Sequence, residues 1–287
     1  MSSTSNPLVH IVILNWNGKE DTLACLESIH KVSYPNFSVI LVDNASHDGT
    51  VESVRNAFPS VKVITNKENI RFAAGNNVGI EFALRNGARY VLLLNNDTTV
   101  DPCFLSELVN AAEYDNRIGI AGAKIYYHAD PKRIWFAGGK VNYWKGWTSH
   151  IGIRELDHGQ YEAQREVDYI TGCCMLVSRE LIEKIGMLDT SFFIYGEDAD
   201  WCIRASRAGY RLVYVPSSKI WHKISSSSGG NLSWFKNWNK FKSQIRLMVR
   251  YAKWYNWLTI PFGLTINILE SAMKAGGAKK GNNGIEK

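Results

Sequence analysis

The sequence predicts an α/β fold in which a mostly parallel sheet is flanked by helices, and three observations carry that prediction. Strand-like and helix-like segments alternate from Val9 to Asn95, the signature of parallel strands joined by right-handed crossovers. Tyr90-Val91-Leu92-Leu93-Leu94 is a run of large apolar residues suited to a strand buried on both faces, and it stops abruptly on Asn95-Asn96-Asp97. Every strand of this half also ends in amides or carboxylates, at the edge where open α/β sheets bind their ligands.

The elements follow in order. Val9 to Leu14 reads as a strand ending at Asn15-Trp16-Asn17-Gly18, and Leu23, Leu26 and Ile29 give the segment Glu20 to Val32 a helical face. Phe37 to Val42 is the next strand, closed by Asp43-Asn44-Ala45-Ser46, and Asp48-Gly49-Thr50 opens a helix through Phe58. Val61 to Thr65 is a third strand, Phe72 to Asn86 a helix and Tyr90 to Leu94 a fourth strand. Gly75 near the start of that helix permits close approach of a ligand or of a packed strand. Asn95 to Asp97 alone are equally compatible with a turn, because Asn and Asp favour turns. No GxGxxG or GxxxxGK[ST] follows any strand, which excludes a dinucleotide-binding fingerprint and a P-loop.

Composition sets the remaining bounds. The 287 residues are 45% hydrophobic and 21% charged, as in a soluble globular enzyme. No apolar run approaches the roughly 20 residues of a spanning helix, and no signal-peptide core opens the chain, so it is expected on the cytoplasmic side. Five cysteines without a CxxC pair suit reduced thiols better than disulfides or a zinc site. From Asn231 onward ten Lys or Arg oppose two Asp or Glu, a balance of +8 that leaves −2 for the rest. The basic character therefore belongs to one end, and nothing in the chain matches a nucleic-acid-binding motif.

In the second half, Phe104 to Tyr114 is expected as a helix and Ile118 to Tyr127 as a strand. The Trp-, Gly- and Tyr-rich stretch Ile134 to Gln164 reads as short antiparallel strands, whose aromatics suit either sugar stacking or core packing. Thr171 to Val177 is an apolar strand, Ser178 to Ile185 a short helix, and Tyr210 to Val215 a strand that Pro216 ends. Glu197, Asp198 and Asp200 crowd three carboxylates into the first turn of a helix through Ala208. The helix dipole favours some negative charge there, and at least one acid is left for another role. His222, beside Trp221, is on its own more typical of a packed or surface residue than of a ligand.

Taken together, Val12 to Asn17, Leu41 to Thr50, Asn69 to Asn77, Leu92 to Asp97, Thr171 to Met175 and Phe193 to Asp200 resemble the inverting family 2 glycosyltransferases of GT-A (Rossmann-like) fold, and among these the bacterial rhamnosyltransferase-like branch. The resemblance runs from Val9 to Lys223. It implies a nucleotide-diphosphate donor, a dTDP- or UDP-sugar, contacted by Asn15, Asn17, Asp43, Arg71, Asn76, Asn96 and Asp97. Asp43 would meet the base or ribose. Asp97, last residue of a DXD-type motif, would bind a divalent metal, Mg²⁺ or Mn²⁺, with His222 a further metal or diphosphate contact. Asp198 would be the general base, with Glu197, Asp200 and Trp221 in acceptor or supporting positions. The chain departs from the pattern twice, carrying Asn95 at the first acidic position of that motif and Arg71 where Gly is frequent. The acceptor implied is a glycan or lipid-linked hydroxyl. Competing readings are a sugar-phosphate nucleotidyltransferase, which the absent Gly-rich loop disfavours, and a non-catalytic glycan-binding protein on the same fold.

The organisation expected is a GT-A domain over 1–230, with a nucleotide-binding half at 7–100 and an acceptor half at 101–230. A basic amphipathic helical extension follows over 231–275, then a flexible tail over 276–287. Trp234, Trp238, Phe241, Ile245, Met248 and Ala252 make an apolar stripe in the extension. That stripe suits either an anionic membrane surface, giving a peripheral protein at the inner face of the cell membrane, or packing on the catalytic domain. Trp257 to Leu269 is apolar but interrupted by Pro261 and Gly263.

Overall fold

A computed structural model describes residues 6–223 and 234–266, the side chains of 234–237 excepted. Residues 1–5 and 224–233, the end of the expected extension from 267 and the tail over 276–287 lie outside the described residues. Two compact units divide what is described: 6–140 with 150–223, and 141–149 with 234–266.

The first unit is built on a ten-stranded sheet. Its amino-terminal half alternates β1 (Val9–Asn15), α1 (Lys19–Ile29), β2 (Phe37–Asp43), α2 (Thr50–Ala57), β3 (Lys62–Thr65), α3 (Arg71–Arg85) and β4 (Tyr90–Asn95). The strands β3, β2, β1 and β4 lie side by side and parallel. α1 buries Thr22, Cys25, Leu26 and Ile29, the i, i+3, i+4, i+7 face that a helix lays on a sheet. Gly75 and Gly79 of α3 sit so close to Leu14 and Val12 of β1 that a Cβ at either would collide with them. The approach that Gly75 permits is thus that of a packed strand.

The second half adds β5 (Thr98–Val100), α4 (Phe104–Tyr114), β6 (Ile118–Tyr127), β7 (Asp130–Phe136), the hairpin strands β8 (Gly139–Asn142) and β9 (Trp147–His150), and β10 (Arg165–Glu166). Then come β11 (Cys174–Ser178), α5 (Arg179–Ile185), α6 (Glu197–Arg207) and β12 (Arg211–His222). β11 is inserted antiparallel between β4 and β6, while β12 runs parallel to β6. An antiparallel strand begins at the rim where its parallel neighbours end, so the turn before β11 joins the carboxyl ends of β1, β2, β4 and β12.

One strand is longer than the sequence predicts. Pro216 does not end β12: the register with β6 jumps from Val215 opposite Ala123 to Lys219 opposite Lys124, so Pro216 to Ser218 form a bulge and pairing resumes. Proline, which has no N–H for the ladder, is tolerated at a bulge. The continuation carries His222 to the rim, where it pairs with Thr98 of β5.

The second unit comprises the tip of the β8–β9 hairpin, α7 (Trp234–Tyr251), a 3-10 turn over Trp254–Leu258 and a helical stretch at 260–266. α7 buries Asn239, Ser243, Gln244, Leu247 and Met248, a face centred on Ser243 and Leu247. Of the expected stripe only Met248 is fully buried, Trp238 is exposed, and the side chain of Trp234 lies outside the described residues.

Candidate active site

The carboxyl ends of β1, β2 and β4 are knitted together by one buried side chain. Asn15 donates through Nδ2 to Asp43 Oδ1 (2.8 Å) and Ser46 Oγ (3.0 Å). Its Oδ1 accepts from Thr22 Oγ1 (3.0 Å), Asn96 Nδ2 (3.0 Å) and the Gly18 N–H (3.2 Å). Asp43 also accepts from Ser46 Oγ (2.6 Å) and the Ser46 N–H (2.9 Å). Three residues expected at the donor, Asn15, Asp43 and Asn96, thus form a single network, and Asn15 and Asp43 are each 1% exposed. Asn17 stands on the exposed turn beyond β1 with φ 51°, its N–H on Ser46 Oγ and its Oδ1 accepting the His47 N–H. Asn76 lies within α3 and donates to the Phe72 carbonyl one turn back. Arg71 opens α3 in a left-handed conformation (φ 73°), its guanidinium carbon 3.3 Å from the centre of the Phe193 ring.

Asp97 occupies the turn between β4 and β5. Its carbonyl accepts the Lys223 N–H (2.8 Å), and its carboxylate Oδ1 lies 3.0 Å from His222 Nε2. Both residues are more than nine-tenths buried. The His222 ring meets Trp135 edge-on, with centroids 4.7 Å apart. A further clasp, Lys223 Nζ to Asp21 Oδ1 at 2.9 Å, ties the end of β12 to α1. His222 Nδ1 is buried without a hydrogen-bond partner among the described residues, which leaves the imidazole more ligand capacity than the fold itself uses.

Asp198 reaches the rim from α6. Its Oδ2 accepts the Gly172 N–H (3.1 Å) and its Oδ1 the Ala199 N–H (2.8 Å). Gly172 belongs to the turn that leads into β11, and the next residue, Cys173, accepts the Asn95 N–H (3.0 Å). The base candidate and the Asn95-Asn96-Asp97 turn are therefore held by adjacent residues of one segment. Asp198 is only half-buried, whereas Glu197 is buried and its Oε2 has no hydrogen-bond partner among the described residues. Burial holds both carboxyls above the ordinary carboxylate range, and for Glu197 the neighbouring Asp198 charge adds to it. Burial likewise pushes the Cys25 and Cys174 thiols up to about 12, as suits packing rather than reactivity.

Two residues expected in acceptor or supporting positions pack against the fold. Asp200 is fully buried against Arg204 (2.9 Å), and Arg204 also donates to the carbonyls of Ile185 and Met187 (both 2.8 Å). Asp200 thereby anchors α6. Trp221, next to His222, points to the opposite face of β12 by strand alternation and stacks on Tyr126 within a core cluster that includes Ile134 and Tyr214. Thr22, Ser46, Gly172 and Trp135 join the site without having been picked out. Ser46 alone had a local signal, since Asp43 followed three residues later by a serine fits a side-chain-capped turn.

The mostly parallel sheet, its flanking helices and the polar rim at the strands' carboxyl ends give the chain the fold of solved GT-A glycosyltransferases. The structure of GalNAc-T7 with UDP, GalNAc and Mn²⁺ superposes with a TM-score of 0.65 at 16% identity, covering 85% of this chain and 48% of that one. The Pyrobaculum calidifontis mannosyltransferase PcManGT, solved with GDP-Man and Mn²⁺, gives 0.62 at 18% identity over 99% of this chain and 82% of that one. The family model described as glycosyltransferase like family 2 matches residues 6–250, and the chain belongs to that family.

It is accordingly a nucleotide-sugar-dependent glycosyltransferase. Among similar proteins, the N-acetylglucosaminyl-diphospho-decaprenol L-rhamnosyltransferase of Mycobacterium tuberculosis is 27% identical over 76% of each chain. The dTDP-rhamnosyl transferase RfbF of Shigella flexneri is 26% identical over 78% of this chain and 71% of its own. The uncharacterized protein y4gI of Sinorhizobium fredii is 29% identical over 78% of this chain, which spans only 25% of that protein.

Proposed function

We propose that the protein moves a sugar, of the rhamnose class, from a dTDP- or UDP-linked donor to a hydroxyl of a glycan or lipid-linked acceptor, inverting the anomeric carbon. The observation that carries this reading is the Asp97–His222 pair, 3.0 Å apart on the rim that also receives Asp198. The relatives named for rhamnosyl transfer support the donor class.

The pair fits a hard divalent cation. Two neighbouring ligands of an octahedral site with bonds of about 2.1 Å lie about 3 Å apart, and Asp97 and His222 already hold that spacing. Among the described residues no third His, Cys, Asp or Glu joins them, so diphosphate oxygens and water would complete the shell, as is common for Mg²⁺. Mg²⁺ or Mn²⁺ bound there would neutralise charge building on the departing diphosphate. Asn95 cannot add a second carboxylate, which leaves Asp97 as the one acidic ligand from its turn.

Asp198 acts on the acceptor. Its carboxylate takes the hydroxyl proton as the acceptor oxygen bonds to the anomeric carbon from the face opposite the diphosphate, and the nucleoside diphosphate leaves with the bonding electrons. Gly172 and Ala199 fix the orientation of the carboxylate, and the partly desolvated setting keeps its proton affinity high enough for a base. Asn15, Asp43 and Ser46 shape the nucleoside side, with Asn17 and Arg71 at its edge. Glu197 and Asp200 support α6, and Trp221 supports the strand that carries His222.

On this reading the protein works at the cytoplasmic face of a membrane, as a lipid-linked acceptor demands; no described helix is long and apolar enough to cross one. A thermal-shift panel of dTDP- and UDP-sugars with Mg²⁺ or Mn²⁺, followed by a transfer assay on the stabilising donor, tests the reading. Metal-dependent stabilisation by one donor class and EDTA-sensitive transfer are expected; full transfer in excess EDTA rejects the metal assignment.

A further inference from the structure

The apolar face exposed by the carboxyl-terminal unit is not the stripe that its sequence advertises. α7 turns Leu247 and Met248 inward with Ser243 and Gln244, and Gln244 exchanges hydrogen bonds with the Thr148 N–H (3.1 Å) and Oγ1 (2.9 Å) of the hairpin tip. That helix face is occupied. The turn and helix that follow do the reverse. Ile260 and Leu264 are buried at a spacing of four, whereas Leu258, Phe262 and Ile266 occupy the solvent side at the same spacing with exposures of 68%, 71% and 50%.

Three large apolar side chains exposed within nine residues are costly to leave in water, and exposed apolar surface of this kind marks a contact site. Their neighbours name the contact. Trp254 and Trp257 are exposed in the preceding turn, at 79% and 38%, and indole rings favour the boundary between water and hydrocarbon. Residues 234–266 carry six Lys or Arg and no Asp or Glu, so the charge of the segment complements an anionic surface. The element is also rigidly backed. Gly263 lies directly against the Lys145 backbone, where a Cβ would collide, and Thr259 Oγ1 donates to the Trp144 carbonyl (2.7 Å).

We infer that Leu258, Phe262 and Ile266, flanked by Trp254 and Trp257, form a wedge that enters the headgroup boundary of an anionic lipid bilayer, while α7 serves as its internal support. This deepens the membrane part of the reading above and rests on it; the chemistry of sugar transfer is tested separately.

The test is flotation of the full chain with vesicles of phosphatidylcholine alone or mixed with phosphatidylglycerol, and quenching of its tryptophan fluorescence by brominated lipid. Binding to the anionic vesicles, weakened by salt, together with quenching is expected. Phe262→Asp and the milder double variant Leu258→Ala/Phe262→Ala should each lower partitioning about tenfold or more, with the melting temperature and transfer to a soluble acceptor retained. Val249→Ala, at an exposed position of α7, should bind as the parent does. Absence of binding by the parent, undiminished binding by a folded Leu258→Ala/Phe262→Ala variant, or a dimer in solution that this variant dissociates would overturn the inference. Loss of donor stabilisation in the parent would instead count against glycosyl transfer.

Discussion

The two sides of the active-site rim are built on opposite principles. On the amino-terminal side, Asn15, Thr22, Asp43, Ser46 and Asn96 satisfy one another through hydrogen bonds of 2.6–3.0 Å. On the carboxyl-terminal side, Asp97, His222, Glu197 and Asp198 gather ionisable groups, and the buried His222 Nδ1 and Glu197 Oε2 keep no hydrogen-bond partner among the described residues. A satisfied buried network is rigid and specifies shape. An unsatisfied one costs stability and persists where chemistry uses it. On the proposed reading the first side is a mould for the nucleoside, and the second carries the reacting charges.

Breaking the second side should cost most in rate. Asp198→Asn is expected to lower kcat by about 10²–10⁴-fold while nucleotide affinity, read by calorimetry, stays near that of the parent; near-normal turnover would remove Asp198 from its role. Asp97→Ala should lower metal-stimulated transfer by about 10²-fold and flatten the dependence of activity on Mn²⁺ concentration. A variant that kept the parent's metal titration would place the cation elsewhere.

Breaking the first side should show in stability and binding. Asn15→Ala leaves Asp43, Thr22 and Asn96 short of partners, and a loss of about 2–3 kcal/mol is expected from denaturant titration, together with weaker nucleotide binding. Equal losses in kcat for Asn15→Ala and Asp198→Asn would erase the contrast between the sides.

The smallest effect sharpens the comparison through pH. Glu197 is raised from 4.5 to about 8, so the folded protein holds this proton more tightly than the unfolded chain does. Its contribution to stability is thus full below pH 4.5, declines as pH rises and is lost above about 8. Glu197→Gln should gain about 2–4 °C in Tm at alkaline pH and almost nothing at acid pH. A pH-independent change in Tm would assign Glu197 a packing role only.

The amino-terminal half was legible because local pattern and tertiary outcome agree there. The run Tyr90 to Leu94 is buried along its length as β4, and the amides that stop it lie on the rim. The course of β12 was not legible, since Pro216 is an ordinary stop signal and only pairing with β6 and β5 carries the strand past it. The choice between acceptor contact and support for Asp200 and Trp221 was open for a related reason. Neighbours in sequence point to different faces of a helix or strand, so closeness to Asp198 or His222 along the chain says little about closeness in space.

The sequence by itself determined the α/β class, the rim and the residue types that gather there, because these follow from periodicity and from where apolar runs end. Tertiary structure alone decided that Asp97 meets His222 and that Gly172 orients Asp198. It also decided that Leu247 and Met248 of α7 are buried while Leu258, Phe262 and Ile266 stand exposed. Each depends on pairing register or on which helix face finds a partner, and both are set by contacts between residues far apart in the chain.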